Sequence, residues 1–369
     1  MSTIDTETLR RWLEEDKPVI VLDVRSASDR AVWAIPGSLH VDAYADLKAH
    51  NIHALDNVSL PADIPVVTVC NAGHASKTAS EQLQARGINT SSLKGGMRAW
   101  SLSWNTAEVP LPGSSAKVIQ FRRVGKGCLS YLIGSGREAA VIDASLDPEV
   151  YLNMAQSQGW SITAVLDTHI HADHLSRSRL LAEQSGATVY LPDQQRVTYP
   201  FMPLRNGSII KVGEASLMVI QTPGHTAESM SYLLDRQALF TGDTLFLQGV
   251  GRPDLHATTE ETRLYAQLLH HSLHHHLLML PARTLVLPGH TDTPTPFDKI
   301  PLTATLGKVR NEVELLRLSE SEFVEALVSR IPPVPPNHER IIELNEAGEL
   351  IENPIQLEAG ANHCAISYS

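Results

Sequence analysis

Four side chains able to bind a metal ion fall within six residues in Thr168-His169-Ile170-His171-Ala172-Asp173-His174, directly after the strand-like run AVLD. Imidazole and carboxylate together suit zinc or iron rather than magnesium or calcium. Three further candidates end other strand-like runs: His225 in TPGHT, Asp243 in TGDT and His290 in LPGH. Glycine precedes each of them, which lets the backbone turn tightly while the side chain points into a shared cleft. Any one of these would pass for a solvated loop residue in a chain with 17 histidines. The complete set, all at strand ends, points to a metal cleft. A second chemistry-bearing segment is Cys70-Asn71-Ala72-Gly73-His74-Ala75-Ser76, between the strand-like VVTVC and a helix-forming run. Successive backbone N–H groups and the positive end of a helix dipole would stabilise a thiolate, or a persulfide formed from it, at that place. The competing reading of Cys70 is a small core residue.

The elements that must position these groups divide the chain in two. The first ~105 residues alternate helix and strand signals, as a parallel sheet covered by helices does. TETLRRWLEED and SKTASEQLQARG have helical spacing, and PVIVLDV and IPVVTVC read as buried strands. NTAEVPLPGSSAK is rich in Pro, Gly and Ser and reads as a linker. Beyond it come many short β-rich runs, each leading into polar residues, with a few helices between. That texture predicts a two-sheet sandwich flanked by helices. VRNEVELLRL and SEFVEALVSR, in the tail, have helical period.

The formal net charge of −11, without a basic run, argues against nucleic acid or an anionic membrane as partner. The charged N-terminus is not a signal peptide, and no apolar run approaches the ~20 residues that span a bilayer. Three widely spaced cysteines do not form a disulfide framework, so a reducing, cytoplasmic location is expected.

With these residues in this order, the second part of the chain resembles the metallo-β-lactamase superfamily. HIHADH is its HxHxDH signature, and His225, Asp243 and His290 follow as expected. The resemblance implies an αββα sandwich with the metal cleft at one edge. The same positions hold two zinc ions in thioester hydrolases of the glyoxalase II type, where Asp243 would bridge them. They hold a single iron when His169, His225 and Asp243 act alone, a two-His, one-carboxylate face with positions open for O₂ and substrate. Spacing does not decide between the two. GDTLFLQGVGRPDL, PPNHERIIELN and LEAGANHCA are similar to segments of persulfide dioxygenases. That similarity implies one Fe(II) per chain at His169, His225 and Asp243, with Zn as the alternative ion. His171, Asp173, His174 and His290 would then orient the ligands from outside, or hold the second metal in the zinc alternative. Arg252 would lie beside the thiol-carrier substrate, a surface salt bridge being the competing reading.

The first part resembles a single-domain rhodanese, a sulfurtransferase, through Asp23-Val24-Arg25, Ile35-Pro36-Gly37 and Gly95-Gly96-Met97-Arg98-Ala99-Trp100. Cys70 would be the sulfur carrier, Gly73 and His74 would line its loop, and Asp23 and Arg25 would be structural. Two positions depart from that family: Trp33-Ala34 stand where Gly-His is frequent, and the loop lacks arginine, having only His74 with Lys77 just after it. Fewer fixed positive charges should favour persulfide over the thiosulfate dianion.

The expected organisation is therefore an α/β rhodanese domain (parallel sheet with helices on both faces) over residues 1–108, a linker over 109–116, and an αββα metallo-β-lactamase-type domain over 117–369. The implied reaction is oxidation of the sulfane sulfur of a low-molecular-weight persulfide, such as glutathione persulfide, by O₂ to sulfite and thiol, with Cys70 carrying sulfur to or from the metal. The rival readings are a dinuclear zinc thioester hydrolase and a non-enzymatic sulfur relay. A homodimer is a candidate assembly, since members of the family often dimerise. The cluster His270, His271, His274, His275 and His276 reads as a solvated helix face with leucines packed inward, and Cys128 as a buried strand residue. Cys364 has no assigned role.

Overall fold

The computed structural model describes residues 2–255, 257–360 and 364–367. Ala361, Asn362 and His363, part of the tail similar to persulfide dioxygenases, lie outside the described residues. In the first domain Val66–Val69, buried at every position, lies between Ile20–Asp23 and Thr90–Leu93. Thr3–Ile4 and Leu39–His40 complete a five-stranded, all-parallel sheet. Strands covered on both faces carry apolar side chains at successive positions, which is the pattern of VVTV. Helix His74–Ala85 sets Ala75, Ala79 and Leu83 against Leu22, Val24 and Val66 on one face. On the other face Leu9 of helix Thr6–Glu14 and Met97 and Trp100 of helix Gly96–Trp100 meet Val21, Val67 and Val69. Asp23 and Arg25, both fully buried, pair at 2.7 Å, and Arg25 also donates to the Trp33 carbonyl, as a structural role requires.

The boundary between the halves differs from the expected one. Trp104–Val109, read as the end of the first domain and part of a linker, is the edge strand of the second domain's sheet and pairs antiparallel with Lys117–Arg123. Asn105, Ala107 and Val109 alternate inward. Asn105 accepts from Arg122 Nε at 2.6 Å and donates to the Pro296 carbonyl. The Pro, Gly and Ser residues that suggested a linker are confined to the turn at 110–116.

Two sheets follow. One has seven strands, in the order Met202–Leu204, Thr188–Pro192, Ser161–Leu166, Glu138–Ile142, Leu129–Ser135, Lys117–Arg123, Trp104–Val109. The other has six, from Ile209–Val212 through Ala238–Gly242 and Leu285–Pro288 to Ala304–Thr305. Their inner faces interlock, with Val118, Tyr131, Ile142 and Leu166 against Val219, Tyr232, Phe240 and Leu287. Helices Pro148–Ser157 and Ser178–Ser185 cover the first sheet, and Thr259–Ser272 and Glu320–Ser329 the second. The architecture is αββα. Leu269, Leu273 and Leu277 point inward and His271 and His275 are exposed, but His270, His274 and His276 are half-buried, so the histidine cluster is only in part the solvated face expected of it. VRNEVELLRL is not one helix: Leu306–Glu312 ends at Val313, whose extended backbone (φ −83°, ψ 103°) leads into a separate 3₁₀ turn.

The domains share packed side chains. Val124, in the hairpin after Lys117–Arg123, sits in the core of the first domain with Trp100. Arg123 donates from Nε and Nη2 to the Ser101 carbonyl at 3.1 and 3.0 Å. Among the described residues no helix is long and apolar enough to cross a membrane.

Candidate metal centre and sulfur-carrier loop

The metal-type residues stand at the ends of neighbouring strands of both sheets, so strand pairing delivers them to one edge of the sandwich. His169, His225 and Asp243 form one group, with their ligand atoms within 4.8 Å of one another. Asp243 Oδ2 lies 4.0 Å from His169 Nε2 and 3.7 Å from His225 Nε2. It is buried and accepts no hydrogen bond. At these separations the three atoms are too far apart to bond each other and face a common point, as donors around a cation do.

The remaining atoms of the three residues are already committed. His169 Nδ1 is 2.9 Å from Thr168 Oγ1, which itself donates to the Asp143 carboxylate at 3.0 Å. His225 Nδ1 donates to the Arg252 carbonyl at 2.7 Å. Both rings are thereby held with Nδ1 protonated and the Nε2 lone pair free for a metal. Asp243 Oδ1 accepts from His290 Nδ1 at 2.6 Å. A side chain on Gly289 could not permit this, because a Cβ there would stand 2.6 Å from the same Oδ1. Burial, with His171 next to it, holds His169 well below the usual imidazole range, so it is neutral and ligand-ready at neutral pH. Burial alone would push Asp243 up, but the charge of His290 outweighs it and holds the carboxyl below the usual range. His290 shows the converse: burial is outweighed by Asp243 and Asp173, and its imidazolium is strongly favoured.

The other predicted residues separate from that trio. His171 turns to Asp143, 3.2 Å from its Nε2, and groups with Asp143 and Asp167. Asp173, His174 and His290 gather around Cys128. Cys364 brings its sulfur within 4.8 Å of ligand atoms of Asp243 and His290, and burial pushes that thiol well up. Sequence reasoning missed Asp143, although it ends the strand-like AAVID in the same way that Asp243 ends its own strand. It also treated Cys128 as packing alone.

Arg252 is not the surface salt bridge that was the competing reading of it. It is fully buried, its guanidinium holds Asp254 through Nε and Nη2 at 2.8 Å, and it donates to the Pro332 and Pro333 carbonyls. An arginine enclosed in this way is no surface ion pair. Its contribution to the centre is its carbonyl oxygen, which aims His225. Three cavities do reach the donors, the smallest, of about 10 Å³, lying against His169 and His171. One of about 90 Å³ is walled by Phe246, Pro288, His290 and Thr291. Another of about 30 Å³ lies between His225, Arg196 and Tyr265. Arg196 and Tyr265 also wall a groove of about 610 Å³ that carries Gln194, Gln195, Asn206 and Gln221.

In the first domain, Cys70 Sγ accepts from the backbone N–H of Gly73 at 3.2 Å and of Ser76 at 3.3 Å, and lies 3.4 Å from Ser76 Oγ. Gly73 is buried, while His74, the first residue of helix His74–Ala85, and Lys77 are exposed. The loop is held from behind by Gly96, whose φ is +57° and where a Cβ would meet the Cys70 carbonyl oxygen at 2.1 Å. Gly96→Ala is therefore expected to displace the carrier loop. Sulfur transfer to cyanide should fall by roughly 10²-fold, the cost of an ångström-scale misplacement. Metal content, measured on the same protein, should not change.

Residues 123–290 match the Metallo-beta-lactamase superfamily and residues 5–103 the Rhodanese-like domain. Hydroxyacylglutathione hydrolases of Maricaulis maris (35% identical over 144 residues, 35% of this chain) and Rhodospirillum rubrum (36% over 157, 42% of this chain) are similar. The chain spans only about half the length of these curated relatives, 56% and 57% respectively. A metallo-beta-lactamase from Staphylococcus aureus subsp. aureus COL has a similar structure, with a TM-score of 0.59 and 30% identity over 65% of this chain and 75% of that one. The ETHE1 protein of Myxococcus xanthus gives a TM-score of 0.55 and 29% identity over 67% of this chain and 100% of its own. On its fold, its metal-binding cleft and these matches, the chain belongs to the metallo-beta-lactamase superfamily and carries a rhodanese-like domain ahead of that fold.

Proposed function

We propose that the chain oxidises the terminal sulfur of a low-molecular-weight persulfide at a single iron held by His169, His225 and Asp243, and passes sulfane sulfur through Cys70. The observation that carries this reading is the division of labour on Asp243. Oδ1 is taken by His290 Nδ1 at 2.6 Å, which leaves only Oδ2 for a metal. With Oδ1 so clamped, Asp243 would offer one free oxygen to a metal, which favours one ion over two. His171 Nε2 is turned to Asp143, and the three-donor group comprises His169, His225 and Asp243 without it. Iron held by His169, His225 and Asp243 would supply the redox chemistry that oxidation of a persulfide by O₂ needs. The reaction balances as persulfide plus O₂ plus water giving thiol and sulfite with release of protons.

Thr168 and the Arg252 carbonyl hold the two imidazoles in one tautomer, and His290 fixes the carboxylate. The groove that shares Arg196 and Tyr265 with the His225 cavity carries amide side chains, which suit a peptide-like thiol such as glutathione. The hydrolase relatives favour a glutathione carrier as well, since their name specifies hydroxyacylglutathione. The fused sulfur carrier, which has no obvious use in thioester hydrolysis, supports the oxidative reading. Two N–H donors on Cys70 Sγ suit an anionic persulfide.

The test is metal content of protein purified without added metal, together with O₂ consumption on glutathione persulfide. The expected result is about one iron per chain and rapid O₂ uptake. About two zinc ions per chain, no O₂ uptake and turnover of a glutathione thioester would replace this reading with the hydrolase. Cys70→Ser should lose sulfur transfer to cyanide while retaining its metal, and wild type should transfer from persulfide faster than from thiosulfate.

A further inference from the structure

We infer that a cavity where the two domains meet the C-terminal tail binds a small organic acid, held as its monoanion by Arg177 and Ser145 with its apolar body against the walls. The cavity has a volume of about 290 Å³, and none of the metal-type histidines or aspartates lines it. Leu102 and Trp104 wall it from the passage between the domains, Leu146 and Val150 from the start of helix Pro148–Ser157, Leu180 from helix Ser178–Ser185, and Ile351 from the tail. A space of that size, mostly apolar with a few convergent polar groups, is at the small end of ligand cavities.

The polar groups inside it lack partners. Arg177 is 6% exposed, and its Nη1 is taken by Glu358 Oε1 at 2.6 Å and by the Leu175 carbonyl. Its Nε and Nη2 have no hydrogen-bond partner among the described residues, and these two N–H groups form the edge that grips a carboxylate in bidentate fashion. Ser145 Oγ is buried and also unpaired. The nearby Tyr151 hydroxyl cannot serve it, being 2.6 Å from Ser130 Oγ and already accepting the N–H groups of Ser145 and Leu146. Unpaired buried polar atoms are rare in folded proteins.

Charge points the same way. Glu358 is the only carboxylate that pairs with Arg123 or Arg177 among the described residues, and it is shared between them. One of the two positive charges therefore has no counter-ion, which is costly at a buried place unless an anion joins it. Asp147 and Glu352 also border the cavity, but both are exposed, and Asp147 caps helix Pro148–Ser157 by accepting Glu149 N–H at 3.0 Å. Standing on the solvent side, they disfavour a second negative charge, so the site selects one carboxylate with an aliphatic or aromatic remainder over phosphate or a dicarboxylate. Arg177 closely follows His174 in the chain, and Ser145 closely follows Asp143, so the occupant would rest against segments that carry the metal cleft. The site needs nothing from the persulfide reading.

Calorimetric titration of the full-length, metal-carrying chain with hexanoate tests it, with hexanol as the uncharged comparison. Hexanoate is expected to bind at about one per chain and hexanol at least about tenfold more weakly, as loss of hydrogen bonds to a charged group implies. Ser145→Ala and Arg177→Met should each weaken hexanoate by about tenfold or more. Arg177→Met leaves Arg123 and Glu358 as a balanced pair; should it nonetheless fail to fold, Ser145→Ala decides. Hexanoate should also change the tryptophan emission, and Trp104→Phe should abolish that change while calorimetric binding persists. No binding at millimolar hexanoate, or equal affinity for hexanol, would overturn the proposal. So would unaltered affinity in Ser145→Ala together with emission that does not depend on Trp104, since the acid would then lie elsewhere.

Discussion

Asp243→Ala is expected to leave the chain folded but unable to retain iron or consume O₂. Among the described residues the trio offers one carboxylate oxygen, and that oxygen is the buried, unpartnered Oδ2 facing His169 and His225. Its removal leaves two imidazoles and no compensating negative charge. The neighbouring change His290→Gln should have a graded effect. It removes the clamp on Oδ1 but leaves all three donors, and loss of such an outer partner typically costs about 10–100-fold in metal affinity or activity. Iron content after dialysis and O₂ uptake on glutathione persulfide check both. An Asp243→Ala protein that keeps its iron would remove the three-donor assignment, and equal losses in the two variants would mean that His290 is itself a ligand of that iron.

The largest effect on stability is expected at Glu358, which stands in the segment LEAGANHCA but was given no role there. This carboxylate is fully buried between two arginines, 2.8 Å from Arg123 Nη1 and 2.6 Å from Arg177 Nη1, and accepts Leu175 N–H at 2.9 Å. Glu358→Gln would strand two cations in the interior, and breaking a buried pair costs about 3–5 kcal/mol. At roughly 2–4 °C per kcal/mol for a domain of this size, the melting temperature should drop by about 6–20 °C. Calorimetry at neutral pH checks it, and a drop of only a degree or two would show that the arginines find other partners.

The same group sets an acid limit. Burial would raise its pKa, but Arg177 and Arg123 outweigh burial and bring it from an ordinary 4.5 to about 2. That depression is worth on the order of 3 kcal/mol. It is present in full above pH 4.5 and lost as pH falls through about 2, so the wild-type advantage over Glu358→Gln should shrink across that window.

The sequence revealed the donors better than it revealed their contacts. His169, His171, Asp173, His174, His225, Asp243 and His290 were all legible because each follows a strand, and strand ends on one side of a sandwich meet at one edge. Their division into two groups was not, since it depends on which ring nitrogen or carboxylate oxygen each presents. Cys128 is buried, as its apolar surroundings predict, yet its neighbour His290 is brought by pairing across 162 positions that no local pattern records. Arg252 was found by resemblance, but only the fold shows that Asp254 and two proline carbonyls enclose it. Asn345, which donates to the His171 and His174 carbonyls at 2.8 and 2.9 Å, braces the metal loop from the segment PPNHERIIELN, which resemblance singled out without giving it a role at the cleft.

The placement of Trp104–Val109 in the second sheet has a practical consequence for anyone dividing the chain. A fragment beginning at residue 109 would lose its outermost strand and offer Lys117–Arg123, with buried Val118 and Phe121 laid open beside it, to the next molecule. Unpaired sheet edges of this kind recruit strands from other chains, so such a fragment would be prone to self-association whatever the integrity of its metal cleft. Soluble metal-domain fragments should therefore start before Trp104.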